Sequence, residues 1–136
     1  MKKKIIAFIF MREGSTRLKN KNIKIFNKKP LFMNSIHQVK KVKLINDIFV
    51  STDSLKIISI CKKNNIKYIH RPKKLATKNS NEMLAWKHAI NYVSNKFGNF
   101  DYFISLPATS PLRKTTDIKK IIKKCLKEKN NNIYLT

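Results

Sequence analysis

Apolar residues follow two rhythms along this chain: short unbroken runs, and recurrences every three or four positions, with polar turns between them. The run at residues 5–10, rich in isoleucine and phenylalanine, predicts a buried strand that passes directly into a polar loop reaching about Asn22. Residues 48–51, 67–70 and 102–106 predict three further strands, and residues 133–135 the start of a fifth. Helical spacing fills the intervals. Phe32, Ile36 and Val39 predict a helix whose first residue is Pro30, after a turn at Asn27-Lys28-Lys29. Leu55, Ile58 and Cys61 line a second helix, which Thr52-Asp53-Ser54 can cap and Asn64-Asn65 closes. The longest helix begins at Asn79 or Ser80, carries Met83, Trp86, Ile90, Val93 and Phe97 on one face, and ends at Gly98-Asn99. A fourth turns Ile118, Ile121, Ile122, Cys125 and Leu126 inward.

Strands alternating with helices predict an α/β fold: a doubly wound, mostly parallel sheet with helices on both faces. Ligands of such sheets lie beyond the carboxyl ends of the strands. There the loops after the four strands bring the Gly14 turn, Asp53, Arg71 and residues 109–113 toward one crevice. For Asp53 the helix-capping reading is preferred, and Trp86 is read as core rather than as a platform for a base. His37, His70 and His88 lack ligand-like spacing and are read as structural or exposed.

The 136 residues amount to a single domain, 1–136. A net charge of +24 raises the question of a nucleic-acid partner. The 27 lysines, however, are spread over nearly every helix and loop and rise together with asparagine and isoleucine, as an AT-rich coding sequence would produce. The 4 arginines are the informative charges: Arg12, Arg17, Arg71 and Arg113 all fall in predicted loops or beside them, and guanidinium suits bidentate phosphate or carboxylate contacts. Cys61 and Cys125 sit on apolar helix faces without C-x-x-C spacing, which suggests buried thiols in a reducing compartment. The start lacks the long apolar core and small-residue cleavage site of a signal peptide, so a cytoplasmic location is expected, with no membrane partner.

The first loop carries the chemistry. Gly14 and Ser15 can turn tightly and present amide hydrogens, with Arg12, Arg17, Lys19 and Lys21 around them. Such a loop suits a polyphosphate, although it fits neither G-x-x-x-x-G-K-[ST] nor G-x-G-x-x-G, because no second glycine follows. A solvated basic loop after a core strand is the alternative.

Several stretches in series resemble the cytidylyltransferase family that activates acidic sugars, the CMP-sialic acid (acylneuraminate) synthetases and their relatives. They are Arg12 with Gly14-Ser15-Thr16-Arg17-Leu18, Lys21-Asn22-Ile23, Lys29-Pro30-Leu31, Val50-Ser51-Thr52-Asp53, Arg71-Pro72 with Leu75-Ala76, and Thr109-Ser110-Pro111-Leu112-Arg113. The resemblance implies a nucleotide-diphospho-sugar transferase-like (Rossmann-like) fold and transfer of CMP from CTP to an acidic nonulosonic-type sugar, with release of pyrophosphate. By the same resemblance Arg12 and Lys21 are the catalytic residues that hold the triphosphate. Gly14 and Ser15 offer amides, Asn22, Arg71 and Ser80 bind the nucleotide, and Thr109, Ser110 and Arg113 lie on the sugar side. Mg²⁺ is the implied cofactor, with no ligand identified in this chain, and a homodimer is the assembly of the full-length family.

This sequence departs from that family at Glu13, which places a negative charge in the phosphate loop, and at Pro107, where many sialic acid synthetases have a sugar-contacting glutamine. Lys78 and Glu82 replace acidic and small hydroxyl residues respectively. The matching stretches cover about residues 5–118. Because members of that family continue beyond the point reached at Thr136, with sugar-binding residues, a dimerisation extension and a magnesium-binding aspartate, the chain is expected to be the amino-terminal portion of such an enzyme, incomplete at its carboxyl end. An inactive nucleotide-binding remnant and a basic nucleic-acid-binding module are the alternative readings, the second disfavoured by the placement of the arginines.

Overall fold

The computed structural model describes residues 2–14, 23–108 and 114–128. Four strands make one parallel sheet: β1 (Ile5–Met11), β4 (Asp47–Thr52), β5 (Lys67–His70) and β6 (Tyr102–Ser105), in spatial order β5-β4-β1-β6. A two-stranded antiparallel hairpin, β2 (Ile25–Phe26) and β3 (Lys29–Pro30), lies outside that sheet. The helices are α1 (Leu31–Lys40), α2 (Leu55–Lys63), α3 (Glu82–Phe97) and α4 (Thr115–Glu128), with a single tight turn at Lys73–Leu75. The predicted fifth strand at residues 133–135 lies outside the described residues.

Strand alternation splits the core in two. Ile5, Ala7, Ile9 and Met11 of β1, with Ile48 and Val50 of β4, pack against Phe32, Ile36 and Val39 of α1, Ile57 and Cys61 of α2, and Ile118 and Ile122 of α4. The intervening residues Ile6, Phe8, Phe49 and Ile69 face α3 through Ala89 and Val93. β1 is therefore buried on both sides, which is why it reads as a continuous apolar run rather than an alternating one. On the α3 side Phe8 is the hub of an aromatic layer, its ring centroid 5.8 Å from Phe10, 6.0 Å from Phe49, 6.1 Å from Phe100 and 6.4 Å from Phe103. Trp86 joins that layer at 5.5 Å from Phe103, as the core reading expects.

The chain winds outward from β1 through α1 to β4 and through α2 to β5, then returns by α3 on the opposite face to β6 on the far side of β1. This reversal is the topological switch at whose carboxyl end such sheets bind ligands.

Four details of the sequence reading change. Pro30 ends β3 and precedes α1 rather than opening it. The hairpin turn before it places Asn27 at φ 50° and Lys28 at φ 64°, the paired left-handed geometry that matches strand twist; asparagine accepts it readily and lysine at a cost. In α2, Leu55 is 69% exposed, and Ile57 takes its place on the buried face beside Ile58 and Cys61. α3 starts later than expected, with Asn81 as its cap through Oδ1 accepting the Met83 amide at 2.9 Å. Its buried seam is Ala85, Ala89 and Val93; Met83 is about half exposed, and Phe97, equally exposed, still packs its ring 5.3 Å from that of Phe49.

Candidate functional site

Strand register brings the site together. Met11 of β1 pairs with Thr52 of β4, and Thr52 with His70 of β5, so the three strands end at one level. The residues one step beyond that level are Arg12, Asp53 and Arg71, in that spatial order. Adjacent strands lie about 4.8 Å apart, so a carboxylate stands between two guanidinium-bearing positions.

Asp53 does not cap α2. Ser54 does so, its Oγ accepting the Ile57 amide at 3.4 Å, while the Ser54 amide donates to Thr52 Oγ1 at 3.0 Å. Asp53 instead reaches across to the first loop, where its Oδ1 accepts the Glu13 amide at 2.9 Å. Local sequence favoured the cap because Thr52-Asp53-Ser54 holds three capping residue types. The tertiary amide donor, 40 residues away in sequence, was invisible to it.

Arg71 is only 6% exposed. Its amide prolongs the sheet by donating to Thr52 O at 2.8 Å, which fixes the side chain's starting point on the α3 side. The guanidinium Nε and Nη2 are buried without a hydrogen-bond partner among the described residues. Burial pushes its pKa below the usual arginine range, and Arg12 pushes the same way, while Asp53 and Glu82 favour the charge. A buried donor left unpaired costs about 1–3 kcal/mol, more when charged, and acceptor oxygens arriving at Nε and Nη2 would remove that cost.

Around Arg71 the structure adds one residue that sequence reasoning set aside. His88 on α3 has a buried Nδ1 without a hydrogen-bond partner among the described residues, and its pKa is lowered by burial and then by Arg71. Nothing local in the sequence marks it, since its link to Arg71 is made between α3 and the end of β5, 17 residues apart. His37 and His70 are exposed, as read.

The loop before α3 is held by its own hydroxyls. Ser80 Oγ donates to Lys74 O at 2.9 Å and accepts the Thr77 amide at 3.1 Å. With its single hydrogen committed to Lys74, it accepts the Thr77 hydroxyl at 2.6 Å. Ser80 thus shapes the loop, and Asn81 and Glu82 follow directly at the amino end of α3.

Gly14 is exposed, and among the described residues a Cβ there would meet nothing within 4 Å, nor does its backbone enter the left-handed region. The tight-turn reading of Gly14 therefore finds no support in its backbone, which any residue could adopt. Ser15, Arg17, Lys19, Lys21 and Asn22 lie outside the described residues, as do Thr109, Ser110 and Arg113. The approach to that second loop is described: Ser35 Oγ of α1 lies 3.2 Å from Pro107 O and 3.4 Å from Ala108 O. Among the described residues no three His, Cys, Asp or Glu side chains form a metal cage, and no helix is long and apolar enough to cross a membrane.

A family model described as Cytidylyltransferase matches residues 6–136. The chain is 32% identical over 123 residues to an N-acylneuraminate cytidylyltransferase of Escherichia coli O18:K1:H7, covering 90% of this chain and 28% of that protein. It is 33% identical over 131 residues to post-translational flagellin modification protein B of Campylobacter coli, covering 95% of this chain and 56% of that one. A CMP-N,N'-diacetyllegionaminic acid synthase of Campylobacter jejuni is 33% identical over 109 residues, 79% of this chain and 46% of that protein. Among solved structures, CMP:2-keto-3-deoxy-manno-octonic acid synthetase complexed with CTP superposes with a TM-score of 0.79 at 18% identity, over 91% of this chain and 48% of that one. That likeness speaks for the fold. The chain spans 28% to 56% of the length of these curated relatives.

Proposed function

This chain belongs to the cytidylyltransferase family, and we propose that it carries the CTP-binding domain of a CMP-sugar synthetase whose acceptor is an acidic nonulosonic-type sugar. In the reaction the sugar's anomeric hydroxyl attacks the α-phosphate of CTP. A bond forms between that oxygen and the α-phosphorus, the bond from the α-phosphorus to the bridging oxygen breaks, and pyrophosphate leaves as the hydroxyl proton is lost. Such chemistry is carried mainly by positioning and by neutralising charge on phosphate oxygens.

One observation carries the reading: Arg71, buried with Nε and Nη2 unpartnered among the described residues, stands in line with Asp53 and Arg12 beyond the carboxyl ends of β5, β4 and β1. In this proposal Arg12 and Lys21 hold the triphosphate, and Gly14 and Ser15 give it amides. Asn22 and Arg71 contact the nucleotide beside the loop that Ser80 shapes. Thr109, Ser110 and Arg113 face the sugar. Mg²⁺ would accompany the triphosphate, with no protein ligand assigned to it. The acceptor class follows the relatives, whose names specify N-acylneuraminate and N,N'-diacetyllegionaminic acid.

The test is calorimetric titration of the 136-residue chain with CTP and Mg²⁺, with ATP and a short single-stranded RNA as competitors. CTP is expected to bind selectively, and Arg12→Ala, Lys21→Ala and Arg71→Ala each to weaken it at least about tenfold, the scale of one lost charge-assisted hydrogen bond. Unchanged affinity in all three variants would remove the site assignment.

A further inference from the structure

We propose that Asp53 is a positioning residue of this site: a central carboxylate that fixes the turn at residues 12–14 and steadies the two flanking guanidinium groups before a nucleotide arrives. The inference rests on the CTP-site reading above. With +24 net charge and only 7 acidic residues, the chain nevertheless places one of them at the centre of a site meant for phosphates. A carboxylate there repels the ligand, so its presence asks for a compensating role.

The geometry supplies one. Asp53 is 9% exposed, and its Oδ1 is spent on the Glu13 amide at 2.9 Å. Thr52, one residue earlier, accepts the Arg71 amide at 2.8 Å, and Ser54, one residue later, caps α2. The end of β4 is thereby tied to the first loop, to the start of the third loop and to a helix, all within three residues. Arg12 and Arg71 leave strands about 10 Å apart, two strand spacings, with Asp53 midway. Without that anion the two cations repel one another across the crevice, and the first loop loses a link to the sheet. Glu82 also favours the Arg71 charge, but it sits on α3 and reaches no backbone of the first loop among the described contacts.

Three variants of the 136-residue chain test this: Asp53→Ala, Asp53→Asn and, as a helix-cap control, Ser54→Ala. Each is titrated with CTP and Mg²⁺, melted, and followed by amide hydrogen exchange at Glu13. Asp53→Ala is expected to raise the CTP dissociation constant about tenfold or more and to release the Glu13 amide to exchange while the β1 amides stay protected. Asp53→Asn keeps an oxygen acceptor, so Glu13 should stay protected and part of the affinity should return. Ser54→Ala should lower the melting temperature and leave CTP affinity unchanged. Glu13 exchange in Asp53→Ala identical to the parent, or affinity losses in all three variants that merely track melting temperature, would overturn the proposal. Were the parent itself not to bind CTP, the function above would fail, while Glu13 exchange would still decide whether Asp53 holds the loop.

Discussion

At the scale of single residues, burial and charge conflict most sharply where Arg71 meets His88. The arginine is kept in the fold with donors unpaired among the described residues, and its charge, after burial itself, helps keep the neighbouring imidazole neutral. A histidine whose folded pKa lies below its unfolded value contributes stability that is present above the unfolded value near 6.5 and is lost as pH falls through the folded one. Thermal stability is therefore expected to decline as pH is lowered from 7 to below 6.5, and His88→Gln should flatten part of that decline. His37, also shifted down by burial and nearby lysines, remains in that variant and accounts for the residue of the effect. A melting profile over pH 5 to 8 that is identical in parent and variant would show that His88 is not buried neutral. Cys61 is a contrasting case: its thiol is pushed up to about 11 by burial alone, so it is a packing group and a poor nucleophile.

At the scale of elements, two leucines that look alike in sequence have opposite roles. Leu106 is 2% exposed, just past β6, with its amide donating to Phe8 O at 2.9 Å. Leu55 is 69% exposed at the first position of α2. Leu106→Asp should cost more than about 4 kcal/mol, because it buries an unpaired charge. Leu55→Asp should be neutral or stabilise by about 0.3–1 kcal/mol, since a carboxylate in the first helical turn complements the helix dipole. Chemical denaturation of both variants checks the pair, and equal losses would contradict the placement of α2. The strands were legible because β1, β4 and β6 are apolar runs bounded by polar turns, and β5 matches its expected limits at Lys67 and His70. Helix faces were less legible. Periodicity weights large side chains, so it passed over the buried Ala85 and Ala89 of α3 and included Met83, which is about half exposed, while Phe97 does reach the sheet, its ring 5.3 Å from Phe49. In the site, Arg12 and Arg71 could be picked out as arginines beside strand ends. The role of Asp53 could not, because it depends on which strand lies between which others, a fact set by topology.

At the scale of the whole molecule, the +24 charge acts against the fold and in favour of every polyanion. Salt separates these effects. Self-repulsion among exposed lysines is screened as ionic strength rises, so the melting temperature should increase between about 10 mM and 150 mM salt. Binding to single-stranded RNA through about six scattered lysines would follow a slope near −4 in log affinity against log salt, a loss of about 250-fold between 50 and 200 mM. The proposed CTP site differs in kind, since Arg71 is buried and its two free donors are poorly reached by salt ions. CTP affinity should accordingly fall no more than about tenfold over the same range, a slope shallower than −2. Parallel titrations of CTP and RNA at 50 and 200 mM salt measure both slopes on one preparation. A CTP slope as steep as that for RNA would mean that the nucleotide is held by the diffuse lysine charge and not by the arginines at the strand ends. A shallow CTP slope beside a steep RNA slope would place specificity in the Arg12, Asp53 and Arg71 row and leave the lysines as a background that any polyanion meets.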